Sequence, residues 1–94
     1  MIKPKVFHYT LTADVPYTFT FDVYGINFFV KNLSQGNLQV SYGDSIDPTS
    51  YIIIPPTSSE LISSYSIDNA ESKTDSITVQ STASGDVEIR ILDY

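Results

Sequence analysis

His8 is the only histidine in a chain of 94 residues that has no cysteine. A lone imidazole without a second His or Cys lacks metal-ligand spacing, and it has no evident partner for acid–base work. It reads as a surface or edge side chain on the polar face of a strand. The hydroxyls are many, 13 Ser and 9 Thr. Without a base and an orienting group beside one of them, they are turn and sheet residues rather than nucleophiles. The four glycines are scattered singly, so no phosphate-cradling loop is present. Two acidic stretches hold oxygen ligands: Asp44 with Asp47, and Asp68, Asn69, Glu71 with Asp75. Calcium needs about six to eight oxygens, and neither stretch has the EF-hand spacing, so both read as solvated loops. No catalytic residue, metal or cofactor is expected, and the chain is not read as an enzyme.

Tyrosine is the richest aromatic, with seven copies. Alternation places Tyr9, Tyr17 and Tyr42 on buried faces, whereas Tyr24, Tyr51, Tyr65 and Tyr94 are less constrained. An exposed tyrosine offers a flat apolar body and a polar tip, suited to a sugar ring or a protein contact. Tyr94, at the end of the chain, is expected to be the freest of the core. Lys3 and Lys5, in the opening MIKPKVFHYT, join Tyr24, Tyr51 and Tyr94 as the candidate partner-contact residues.

Composition limits what such residues can serve. The net charge is −6 and uneven. Residues 1–42 carry three lysines against two aspartates (+1), while residues 43–94 carry Lys73 and Arg90 against nine acids (−7). Such a surface repels phosphate backbones, which argues against nucleic acid, and the acids serve solubility. The longest strings of aliphatic and phenylalanine residues, Phe28–Val30 and Ile52–Ile54, are far short of the ~20 residues a membrane helix needs. The first ten residues have no apolar h-region and are not read as a secretory signal.

The elements that must carry these residues alternate with period 2, the pattern of half-buried strands. Phe7, Tyr9 and Leu11 alternate with Val6, His8 and Thr10. After Pro16, which cannot donate to a ladder, Tyr17, Phe19, Phe21 and Val23 alternate with Thr18, Thr20 and Asp22. Both of these strands are compatible with a sheet edge. Ile26–Tyr42 reads as a central β-hairpin turning at Ser34-Gln35-Gly36-Asn37. Residues 43–50 form a loop, and Tyr51–Ile54 is a short strand stopped by Pro55-Pro56. Residues 58–67 are read as a strand with Leu61 and Tyr65 in the core, and residues 68–75 as a polar loop. Ile77 and Val79, then Val87, Ile89 and Ile91, form a second hairpin around residues 81–86. The fold expected is all-β: a small antiparallel β-sandwich of seven to eight strands, jelly-roll or immunoglobulin-like. Residues 1–94 make a single domain, with 1–5 a candidate N-terminal arm.

The strings FFVKNLSQGNLQVSYGD, YIIIPPTSSELI and DSITVQSTASGDVEIRIL resemble small virion proteins of tailed phages and prophages, of the head-fibre or capsid-decoration type. The resemblance rests on Val30–Leu33, Val40–Tyr42, Ile54–Pro56 and Gly85–Ile91, and covers roughly residues 26–92. It implies a non-enzymatic structural protein, made in the host cytoplasm and carried in the virion. Such a protein docks on phage capsid or tail proteins through a strand edge or apolar patch, with Met1–Lys5 as an attachment arm. It also allows a homo-oligomer, such as a trimer. The competing expectations are a carbohydrate-binding module displaying tyrosines, and an adaptor pairing an edge strand with a host protein.

Overall fold

The structure is a computed structural model that describes residues 5–63 and 73–94. Eight strands follow one another: β1 (Lys5–Leu11), β2 (Tyr17–Gly25), β3 (Asn27–Asn32), β4 (Leu38–Tyr42), β5 (Ile52–Ile54), β6 (Ser59–Ser63), β7 (Thr74–Ser81) and β8 (Gly85–Asp93). They form two four-stranded sheets. Sheet I runs β1-β8-β3-β6 and sheet II runs β2-β7-β4-β5, with every described pair antiparallel. The expectation of a small antiparallel β-sandwich is met. The strand order also resolves its topology, because a chain that changes sheet at every connection except β4–β5 is a jelly roll.

That order corrects both expected hairpins. β3 pairs with β6 and β8, and β4 with β5 and β7, so the turn at residues 33–37 carries the chain from one sheet to the other. The turn at 82–84 likewise passes from sheet II to sheet I. A run of turn formers between two alternating strands is equally compatible with pairing and with crossing. Alternation assigns side chains to a face and leaves the partner strand open. Among the described strands, the one true hairpin is β4–β5, joined by the loop expected at residues 43–50.

The core lies between the sheets and is built by alternation. Phe28 and Val30 of β3, Leu38 and Val40 of β4, Ile77 and Val79 of β7, and Val87, Ile89 and Ile91 of β8 are fully enclosed. Phe19 and Phe21 of β2 join them, as expected, with Tyr17 and Val23 packed at the margin. Two positions differ from the reading above, one in phase and one in exposure. In β6, Ile62 is buried and Leu61 is 57% exposed, because adjacent apolar residues left the phase of a short strand undetermined. Tyr9 shares a face with Phe7 and Leu11 yet is 42% exposed: β1 is an edge strand, and its ring stacks on Tyr17 at the rim, with centroids 3.5 Å apart. Tyr65 lies outside the described residues. β1 and β2 are both edge strands, as their sequence suggested.

Two local devices hold the sandwich in shape. The chain passes from β2 to β3 through Ile26 alone, whose amide donates to the Asp93 carbonyl at 2.8 Å. Gly25 permits this tight crossing, since a Cβ there would stand 2.5 Å from the Phe28 ring. The β4–β5 loop folds back over the outer face of sheet II. Its Gly43 carbonyl accepts from the Thr78 hydroxyl at 2.8 Å, and Ser41 Oγ donates to the Ser50 carbonyl at 3.1 Å. Outward-pointing Ser41 and Thr78 are therefore buried, with their hydroxyls satisfied.

Candidate functional site

The outer face of sheet I gathers the most chemistry in the described part of the chain. Register aligns its side chains in rows across the four strands. Val6, Arg90, Phe29 and Leu61 form one row, and His8, Glu88, Lys31 and Ser59 the next. Glu88 is the centre of the second row. Its carboxylate accepts from His8 Nε2 and from Arg90 Nε, each at 2.8 Å, while Lys31 Nζ stands 3.7 Å away. The hydrogen bond from His8 holds the Glu88 carboxyl below its usual range; partial burial opposes this, and Arg90 and Lys31 reinforce it. One row further, the Thr10 hydroxyl donates to Asp86 at 2.6 Å. A shallow open groove of about 560 Å³ runs along this side, lined by His8, Tyr9, Thr10, Leu33, Asp86 and Glu88.

Every charge in this arrangement is met by an opposite charge or a donor, and the groove is open to solvent. It is suited to recognition by complementary charge and apolar contact. The groove shows no nucleophile–base–orienter geometry: His8 bonds the Glu88 carboxylate, and the one aliphatic hydroxyl there, that of Thr10, is spent on Asp86.

A second depression, about 250 Å³, lies on the outer face of sheet II. Gln80, Gln39 and Ile53 sit side by side there on β7, β4 and β5, with Asp14, Asn37 and Thr82 around them. Amide, carboxylate and hydroxyl groups beside one aliphatic side chain make a small polar surface rich in both donors and acceptors.

The sequence-derived contact residues are dispersed. Lys3 lies outside the described residues. Lys5 belongs to β1 rather than to an arm: its ammonium pairs with Asp22 at 3.1 Å and sits 5.6 Å from the centre of the Tyr94 ring. Tyr94 is not free of the core. It is half-buried and packed against it, because β8 continues to Asp93 and leaves the last residue beside the sandwich. Tyr24, 61% exposed, is on β2, and Tyr51, 40% exposed, immediately precedes β5. β2 and β5 are the opposite edges of sheet II with β7 and β4 between them, so the strands that carry the two tyrosines are about 14 Å apart and form no single platform.

The acidic stretches gather no ion site in the described residues, where no group of three or more His, Cys, Asp and Glu side chains is placed to hold a metal. Asp47 instead accepts from the amide and hydroxyl of Thr49, at 2.9 and 2.8 Å, and these bonds lower its pKa. Asp68, Asn69 and Glu71 lie outside the described residues.

Sequence reasoning did not place Val6, Phe29, Lys31, Glu88 or Arg90 in a site, and it read Leu61 as core. A signal was present in the lack of clean alternation: Phe29 beside Phe28 and Leu61 beside Ile62 each place an apolar side chain on the outer face. Only the strand order shows that these positions fall in one row. No protein-family model, no curated protein and no solved structure matches this chain.

Proposed function

We propose that this chain is a non-enzymatic structural subunit of a phage particle, of the decoration or head-fibre type, that docks on a capsid or tail protein through its sheet margins. One observation carries the reading. Of the nine large apolar side chains that stand exposed among the described residues, five are on the edge strands: Val6 and Tyr9 on β1, Tyr24 on β2, Ile53 on β5 and Leu61 on β6. None is on β3, β4, β7 or β8. Free-standing β-proteins usually blunt their edges with charge, proline or bulges, because an open edge invites another chain. Apolar residues on all four margins favour a domain whose edges are covered in use. The resemblance of residues 26–92 to virion proteins supplies the kind of assembly.

The test is quantitative mass spectrometry of purified particles from the source, after induction of any resident prophage. A fixed ratio of this chain to the major capsid protein is the expected result, and its value distinguishes a lattice position from a tail or vertex position. Absence from intact particles overturns the reading.

A glycan-binding module is the second reading, and the Gln39, Gln80, Asn37 and Asp14 surface on sheet II favours it, since clustered amides and a carboxylate suit sugar hydroxyls. Specific hits on a glycan array that are lost in Gln39→Ala would establish it, and a blank array would remove it.

A further inference from the structure

We infer that the outer face of sheet I is a self-complementary surface on which a second copy of this chain docks face to face, β8 of one copy lying over β3 of the other. This inference goes beyond the proposed function and stands whether or not the chain belongs to a virion.

The argument begins with charge. Among the described residues, this face sets Lys31 and Arg90 against Asp86, Glu88 and Asp93, the last bonded by Asn27 at the end of the sheet, a balance of −1. The rest of the described surface has two cations against six acids, a balance of −4. Two copies of so acidic a molecule repel each other in most orientations, and this face lets them approach with the least of that penalty.

The pattern within the face then selects an orientation. The strand order is β1-β8-β3-β6. A two-fold axis lying in the interface, parallel to the strands and midway between β8 and β3, sets each strand opposite its mirror position in the order. Rows are kept: β8 faces β3 of the mate, and β1 faces β6. In the charged row, Glu88 of each copy then meets Lys31 of the other. In the apolar row, Arg90 meets the Phe29 ring of the other copy, a favourable cation–π arrangement, and Val6 meets Leu61. One operation matches every charged and apolar position of both rows, as an isologous interface requires. The alternative in-plane axis, running across the strands, sets Leu61 against Ser59 and Val6 against His8, which wastes the aliphatic pairs. Leu61 and Val6 are 57% and 47% exposed and the Lys31 and Arg90 side chains 34% and 40%, while the Glu88 side chain, 12% exposed, meets the mate only through the long Lys31 side chain reaching in to it.

Size sets the strength. Four strands by about five residues give a footprint of about 19 by 17 Å, well under the roughly 800 Å² per partner of a standard stable interface. The dimer is therefore a weak, concentration-dependent one, of the kind that matters when copies are held close together.

The experiment is sedimentation equilibrium of the full chain from about 10 μM to about 1 mM, with circular dichroism on each variant as a check of folding. The wild type is expected to pass from monomer to dimer across this range. Glu88→Lys alone and Lys31→Glu alone each place like charges opposite one another and weaken the dimer at least about tenfold. An equimolar mixture of the two single variants, or the double variant, restores opposite charges across the interface and recovers dimerisation. Leu61→Arg, which leaves the Glu88 cluster intact, weakens it comparably. A wild type that stays monomeric throughout overturns the inference. So does a dimer indifferent to Glu88→Lys, Lys31→Glu and Leu61→Arg, or a Glu88→Lys variant rescued by Arg90→Glu rather than by Lys31→Glu.

Discussion

The side-chain nitrogen of Asn32 donates to the carbonyl of Ile54 at 3.0 Å, tying the last residue of β3 in one sheet to the last residue of β5 in the other. Asn32 is fully buried at the crossing. The same nitrogen lies within bonding distance of the Gly36 and Pro55 carbonyls, and its oxygen accepts from both the amide and the hydroxyl of Ser34. Ser34 Oγ in turn meets Ser81 Oγ at 2.8 Å, which brings in the end of β7. A single amide thus closes one end of the sandwich.

Asn32→Ala removes the hub: the buried Ser34 amide loses its acceptor, and the Ile54, Gly36 and Pro55 carbonyls each lose a donor. Unmet polar groups of this kind cost about 1–3 kcal/mol each before relaxation and water entry. The expected loss is about 3 kcal/mol, seen as a lower urea midpoint and a melting temperature lower by more than about 10 °C. A loss under about 0.5 kcal/mol would show that the network contributes little.

Gly85 opens β8 against the crossing that Asn32 organises. A Cβ on Gly85 would stand 2.6 Å from Ser34 Cα, and backbone cannot swing aside as a flexible side chain can. Gly85→Ala is therefore expected to destabilise by about 1–3 kcal/mol and to disturb the 33–37 crossing. Amide hydrogen exchange is the check: protection should fall first at Ser34 and Leu33, whose amides bond Asn32 Oδ1 and the Asp86 carbonyl.

Leu61 and Ile62 give the most direct test of strand phase. Ile62 is completely enclosed, so Ile62→Ala should cost about 2–4 kcal/mol. Leu61 is exposed, and Leu61→Ala should change monomer stability by less than about 0.5 kcal/mol. Equal losses at the two positions, measured by urea denaturation, would contradict the register of β6 against β3.

That pair also marks the boundary of what the sequence made legible. Where polar and apolar residues alternate cleanly, as along Tyr17–Val23, both the strand and its buried face follow from the residues. Where two apolar residues stand together in a five-residue strand, either can be the buried one, and only the neighbouring strand decides. Partner choice is a further step removed. Residues 33–37 read as a hairpin turn because Ser, Gly and Asn favour chain reversal of any kind. What makes them a crossing is the Asn32 network, whose acceptors on Ile54 and Pro55 are distant in sequence. The candidate site was hidden for the same reason. Val6, Phe29, Arg90 and Leu61 are ordinary side chains until β1-β8-β3-β6 sets them in one row.

Glu88 ties that surface to pH. Its carboxylate is held below the ordinary value of 4.5, chiefly by the His8 hydrogen bond, with Arg90 and Lys31 assisting against desolvation. A carboxyl whose folded pKa lies below its unfolded pKa binds fewer protons when folded. It therefore stabilises the fold above the unfolded value, and that contribution fades as pH falls through the folded pKa. Glu88→Gln keeps the shape but removes the charge, so the variant should be less stable than the wild type at neutral pH and converge on it as the pH falls below the folded pKa of Glu88. Urea unfolding of dilute protein at several pH values measures this directly, since dilution keeps the chain monomeric. A stability gap that stays constant from neutral to acid pH would mean that the His8, Arg90 and Lys31 contacts do not favour the ionised carboxylate.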